Sequence, residues 1–178
     1  MSQMPDNLAN LPDIESLYQR LLAGVAKLIE GVQTDQIHLV GILSGGAWLA
    51  ERLQRDLGLP GEMGTLNISF YRDDFDRIGL HSQVEPSNIP FAVADQHLIV
   101  VDDVLYTGRT IRAAMNELFD YGRPASIKLV VLIDRGQREL PICPDFAACQ
   151  IDAPITQNFV LARAQTGELS LHVESKGA

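Results

Sequence analysis

The sequence predicts an α/β architecture built on a mostly parallel sheet. Three observations carry this. Residues 37–43 (IHLVGIL), 97–101 (HLIVV) and 126–133 (SIKLVVLI) are short, continuous apolar runs, as expected of strands covered on both faces. Stretches with helical periodicity lie between them, which is the βαβ pattern. The runs end in small or acidic residues, and in such sheets ligands bind beyond the carboxyl ends of the strands.

The elements follow in order. From Asp13, residues Ile14, Leu17, Leu21, Val25 and Leu28 share one helical stripe, and Gly31 closes it. After the first apolar run come Ser44-Gly45-Gly46, then Trp48, Leu49, Leu53 and Leu57 at helical spacing, stopped by Gly58 and Pro60. The spacing places Trp48 in the core. Residues 65–71 (TLNISFY) alternate, with Leu66, Ile68 and Phe70 on one face. Residues 72–90 are long, charged and poor in apolar side chains, the pattern of a flexible lid. The run at 97–101 leads to Asp102-Asp103 and a helix with Ile111, Ala114, Met115 and Leu118 inward, ended by Tyr121-Gly122-Arg123-Pro124. Beyond Pro141 the chain reads as irregular until an alternating strand at 168–173.

Composition narrows the function. One domain is expected over residues 1–178, in a chain with 46% hydrophobic and 21% charged residues. No apolar run suits a membrane span and no signal peptide is visible, so a cytoplasmic protein is expected. Cys143 and Cys149 have no zinc or CxxC spacing, and His38, His81, His97 and His172 no metal spacing. A net charge of −9 argues against bulk nucleic-acid binding. Charge is uneven: residues 109–138 hold Arg109, Arg112, Arg123, Lys128, Arg135 and Arg138 against Glu117, Asp120 and Asp134.

The chemistry concentrates at the strand ends. Two unpartnered carboxylates cannot be buried, so Asp102 and Asp103 belong where a strand meets solvent. There they could cap a helix, accept hydrogen bonds from sugar hydroxyls, or hold Mg²⁺ through its waters. Thr107, Gly108 and Thr110 leave backbone N–H groups open at a helix start, a cradle for a phosphate monoester. Neither GxxxxGK[ST] nor GxGxxG is present. Acids followed by a phosphate cradle suit a ribose 5-phosphate.

The stretch IVVDDVLYTGRT (99–110) resembles the phosphoribosyl pyrophosphate (PRPP) motif of type I phosphoribosyltransferases. FYRDD (70–74), GRPASI (122–127) and VLIDRGQRELPI (131–142) are similar to the family of bifunctional pyrimidine operon regulators and uracil phosphoribosyltransferases. The resemblance implies a mostly parallel twisted sheet flanked by helices, with a small hood from the chain ends. It implies that uracil and PRPP give UMP and pyrophosphate, with Asp102 and Asp103 on the ribose hydroxyls and Mg²⁺. Val104, Leu105, Tyr106, Thr107, Gly108, Arg109 and Thr110 would hold the 5-phosphate. Ser44, Gly45 and Gly46 match the pyrophosphate loop, Arg72 the lid, and Ile133, Asp134 and Arg135 the base-binding strand end.

The family implies a homo-oligomer, UMP or UTP as effectors, and an operon leader RNA, or DNA, as partner. One departure stands out: the family has an arginine where this chain has Gly45. Two functions stay open, a uracil phosphoribosyltransferase that also regulates, and a regulator that binds UMP or PRPP without turnover. A phosphoribosyltransferase for another base is opposed by Tyr106 and DRGQREL.

Overall fold

The computed structural model describes residues 12–69 and 85–175. Five strands form one parallel sheet: β1 (Ile37–Ile42), β2 (Gly64–Leu66), β3 (His97–Leu105), β4 (Ser126–Asp134) and β5 (Phe146–Gln150). Their spatial order is β2-β1-β3-β4-β5. The chain steps outward from β1 to β2, returns to β3, and then advances in the opposite direction. The order therefore reverses between β1 and β3, where parallel sheets of this kind open a crevice.

Helices cover both faces. α1 (Ile14–Leu28) and α2 (Gly45–Asp56) lie on one side, and α3 (Arg109–Tyr121) on the other. Asp13 starts α1: its carboxylate accepts the Ser16 N–H at 3.1 Å and the Ser16 hydroxyl at 2.6 Å, satisfying a free donor of the first turn. The stripe of Leu17, Leu21 and Val25 is then wholly buried, as its spacing requires. Truncating such a leucine to alanine costs about 2–5 kcal/mol. Tyr18, one residue on, is also buried and donates its hydroxyl to Asp56 of α2 at 2.7 Å.

The central strands alternate between the two cores. Ile99 and Val101 of β3 face the α1–α2 side, while Leu98 and Val100 face α3. In α3, Ile111, Ala114 and Leu118 are buried, but Met115 is only half-buried, less inward than its spacing predicts.

An antiparallel hairpin completes the described fold. β6 (Gln157–Arg163) pairs with β7 (Leu169–Ser175), and Phe159, Leu161 and Leu169 enter the α1–α2 core. This hairpin supplies a hood over the α1–α2 side of the sheet.

Four strands differ from the sequence expectation. β3 runs four residues past Val101, through both acids, because β4 continues beside it to the Leu105–Asp134 pair. β2 covers only Gly64–Leu66; Ile68 is buried beyond the strand, and Phe70 lies outside the described residues. β5 and β6 occupy the stretch expected to be irregular. β5 is short and mostly small (FAACQ), and Pro141, Pro144 and Pro154 around it mask its strand character. The irregular segment expected at 72–90 re-enters the described fold at residue 85, and Asn88 exchanges two 2.8 Å backbone hydrogen bonds with Thr65.

Candidate active site

The cleft forms because β3 outlasts its neighbour. β1 pairs with β3 up to Gly41–Val101 and no farther. From Asp102 onward β3 has β4 on one flank and an opening on the other. Each acid is locally anchored. Asp102 Oδ1 accepts the Asp103 N–H at 3.0 Å, and Asp103 Oδ1 accepts the Val104 N–H at 2.9 Å. Asp102 is nearly buried, at 3% exposure, whereas Asp103 is half-buried at the cleft edge.

The glycine loop closes against these acids. α2 begins inside it, with Ser44 as N-cap and Gly45 and Gly46 as its first residues. The Leu43–Ser44 peptide is cis. A Cβ on Gly46 would collide with the Val101 carbonyl, and one on Gly45 with the Asp103 carboxylate. Glycine at both positions is thus what lets the helix start touch the strand end.

The third side is the start of α3. Gly108 is its N-cap at φ +92°, in the left-handed region, and has no side chain with which to cap the helix. The Thr107 hydroxyl oxygen accepts the Arg109 N–H at 3.3 Å. The Thr107 carbonyl accepts the Glu139 and Leu140 N–H groups at 3.0 and 3.1 Å, tying the loop to the segment after β4. The other N–H groups of this helix start can attract an anion.

A cavity of about 390 Å³ lies between these parts. Ser44, Gly45, Asp102, Asp103, Val104, Tyr106, Thr110 and Arg135 line it, with Trp48 of α2 and 158–161 of β6 as further walls. Its volume suits a small ligand. A larger cavity, about 580 Å³, lies on the far side of Trp48. Its three arginines each have an acid close by: Arg52–Glu15 at 2.8 Å, Arg55–Asp56 at 3.0 Å and Arg163–Glu51 at 2.7 Å. The smaller cavity is the one with chemistry left open.

The described residues expected to act divide into three groups. Ser44, Gly45, Asp102, Asp103, Val104, Tyr106, Thr110 and Arg135 converge on the cleft. Gly46, Thr107 and Gly108 shape its borders. Leu105, Arg109, Ile133 and Asp134 do not line it. Leu105 and Ile133 are core side chains, 1% and 0% exposed. The Arg109 side chain pairs with Glu139 at 2.6 Å on the surface. Both Asp134 oxygens accept from Arg138 Nη2, at 2.7 and 2.8 Å, so its carboxylate is held by protein. Arg72 and the rest of 70–84 lie outside the described residues.

Trp48, Phe159 and Leu161 were not foreseen at the site. Trp48 packs against the core, as its spacing says, but also walls the cleft. The Phe-Val-Leu run at 159–161 was the available signal for β6.

The sequence matches the phosphoribosyl transferase domain family over residues 6–161. It is 48% identical over 155 residues to "Bifunctional protein PyrR" of Ralstonia nicotianae, covering 87% of this chain and 88% of that one. The chain belongs to the PyrR family. The "Bifunctional protein PyrR" of Pseudomonas putida W619 is 60% identical over 136 residues, 76% of this chain and 79% of the relative. Solved structures agree on the fold. A hypoxanthine-guanine phosphoribosyltransferase from Bacillus anthracis superposes with TM-score 0.62 at 17% identity, covering 85% of this chain and 86% of that one. The hypoxanthine phosphoribosyltransferase of Trypanosoma cruzi gives 0.60 at 22%, covering 79% and 80%. The PyrR family thus sits here on a type I phosphoribosyltransferase fold.

Proposed function

We propose that this chain converts uracil and PRPP to UMP and pyrophosphate, and that nucleotide bound in the same cleft governs a second role in regulating pyrimidine gene expression. The observation carrying this reading is the meeting of Asp102-Asp103, the Ser44–Gly45 loop and the open start of α3 around one cavity at the switch point of the sheet. The name shared by the relatives, "Bifunctional protein PyrR", supports both roles.

The reaction breaks the C1–O bond to pyrophosphate, forms a C1–N1 bond to uracil, and releases the N1 proton. Catalysis rests on position and electrostatics and needs no covalent nucleophile. In this reading Asp102 and Asp103 hold the ribose hydroxyls, and the N–H groups of the Tyr106–Thr110 turn hold the 5-phosphate. The Ser44–Gly46 loop holds the pyrophosphate, and the Tyr106–Arg135 side receives the base. Arg72 and the lid expected about 72–90, most of which lies outside the described residues, would close over it and exclude water.

Mg²⁺ fits the donor set. Asp103 Oδ1 is occupied by a backbone N–H, and the carboxylate also abuts the glycine loop beside the cleft. Among the described residues no three acidic, His or Cys side chains gather as a cage. One or two carboxylates, with the remaining positions filled by water and substrate oxygens, are what Mg²⁺ ordinarily takes. When bound, it would offset charge on the departing pyrophosphate.

The reading is of a cytoplasmic homo-oligomer, dimer or larger, whose effectors are UMP or UTP and whose partner is a pyrimidine operon leader RNA or the corresponding DNA. Two free cysteines, and no described helix long and apolar enough to cross a membrane, are in keeping with that.

A second reading draws on Gly45. Where the family arginine would bring a positive charge to the leaving group, this loop brings none, which favours a regulator that binds UMP or PRPP without turnover. One assay separates the two. UMP formed from uracil, PRPP and Mg²⁺, with orotate, hypoxanthine and guanine as competitors, supports the enzyme. Micromolar binding of UMP or PRPP without product supports the second. For regulation, salt-dependent binding to the leader RNA in the presence of UMP is expected; no binding at low salt would contradict it.

A further inference from the structure

Arg135 is a buried cation. It is 1% exposed, and among the described residues it forms no ion pair. Its backbone N–H donates to the Leu105 carbonyl at 3.1 Å, which seats it at the end of β4. Nη1 donates to the Gln157 carbonyl at 2.9 Å and Nη2 to the Pro154 carbonyl at 3.0 Å. The guanidinium carbon lies 4.2 Å from the Tyr106 ring centroid and 6.0 Å from that of Phe159. Among the described residues Nε–H has no partner.

Removing a cation from water is costly, and carbonyls and ring faces recover only part of it. An apolar side chain would fill the same space without that penalty, so the charge and the fork geometry have a use. The fork reaches two elements that share no strand pairing. One is the phosphate turn, through the Tyr106 ring. The other is the 154–157 turn from which β6 rises to wall the cleft. Each Nη gives one of its two N–H groups to a carbonyl, and these two bonds tie the side chain to its neighbours.

We propose that Arg135 is a positioning residue that fixes the width of the cleft on its base side. It holds the Tyr106 ring on one wall and the start of β6 on the other. This rests on the reading of the cleft as a nucleotide site. None of the hydrogen-bond and ring partners of Arg135 given above belongs to the pyrophosphate loop, Ser44–Gly46, which supplies an internal control.

The test uses Trp48, the sole tryptophan and a wall of the cleft, as fluorescence reporter. Wild-type protein and Arg135→Lys are titrated with UMP and, separately, with inorganic pyrophosphate. Lysine keeps the charge but loses the fork. The expected result is UMP binding weakened about tenfold or more, with pyrophosphate binding within about twofold of wild type. Equal weakening of both ligands, or of neither, would overturn the proposal. If Arg135→Lys does not fold, Tyr106→Leu removes the stacking partner and should produce the same selective loss; an unselective loss, or none, counts against the clamp.

A ligand-free measurement stands beside this. Amide hydrogen exchange at 157–161 should be about tenfold faster in Arg135→Lys, with β3 and β4 unchanged. Unchanged exchange at 157–161 would overturn the clamp whatever the ligands do. Wild-type protein that binds neither UMP nor pyrophosphate would instead overturn the proposed function, leaving the clamp to be judged by exchange.

Discussion

Gly45 and Asp103 occupy adjoining space: a Cβ on Gly45 would stand 2.7 Å from the Asp103 Cγ. The glycine in this loop and the acid on β3 are therefore one packing unit. The missing arginine acquires a physical reading, since any side chain at 45 must first displace the carboxylate. Gly45→Ala should lower kcat/KM for PRPP about tenfold or more, because Asp103 has to move. Steady-state kinetics with PRPP varied at saturating uracil measures it. Undiminished turnover would mean that Asp103 is free to rotate away without consequence.

Asp103→Asn keeps the shape and removes the charge. If the acid serves ribose and Mg²⁺ as proposed, PRPP use should fall about 10²-fold. The Mg²⁺ concentration needed for half-maximal activity should rise as well. Kinetics indistinguishable from wild type at limiting Mg²⁺ would remove Asp103 from the mechanism.

Asp134 predicts a different signature. Its carboxylate is 8% exposed and held by Arg138, which also donates to the Tyr106 carbonyl at 2.6 Å and the Ile142 carbonyl at 2.9 Å. Removing one partner of such a pair strands the other. Asp134→Ala should therefore destabilise the fold by about 3 kcal/mol. Thermal or denaturant unfolding reads this directly. A stable variant with altered base preference would return Asp134 to the base-binding role.

The Tyr18–Asp56 pair sets a pH window. The Tyr18 hydroxyl, helped by Arg55, holds the Asp56 carboxyl below its ordinary value of 3.8. A depressed carboxyl contributes stability that is present above its unfolded value and lost as pH falls through the folded one. Burial, then the hydrogen bond to Asp56, pushes the Tyr18 hydroxyl above its ordinary value of 10.0. That contribution is present below 10.0 and lost as pH rises through the folded value. Tyr18→Phe should lower stability by about 1–2 kcal/mol near neutrality. Its unfolding midpoint should also lose part of its pH dependence below about 4 and above about 10. Urea unfolding across pH 3 to 11 measures both arms.

Much of this architecture was legible because buried strands and helical stripes have simple periods. Asp13, Leu17, Leu21 and Val25 announced α1, and the apolar runs at 37–43, 97–101 and 126–133 located three of the five sheet strands. The acids could be placed at a ligand site because two adjacent carboxylates have few other ways to end a buried strand. Other features depend on partners distant in sequence. Nothing local tells that Arg135 reaches Pro154 and Gln157 across 19 and 22 residues. β5 escaped notice because alanine and cysteine carry little strand signal, and pairing with β4 decides its state.

The place where β3 outruns β1 has a consequence unconnected with catalysis. A strand flank without a neighbour is a template for a foreign strand, and long, flat, apolar edges seed aggregation. Here the exposed flank is brief, recessed in a cleft and charged. Successive N–H groups of a strand point to opposite flanks, so only one of the Asp103 and Val104 N–H groups faces the opening, and both are engaged by the carboxylates that precede them. The same pair of acids that would receive a sugar therefore also keeps an interrupted sheet from recruiting another chain.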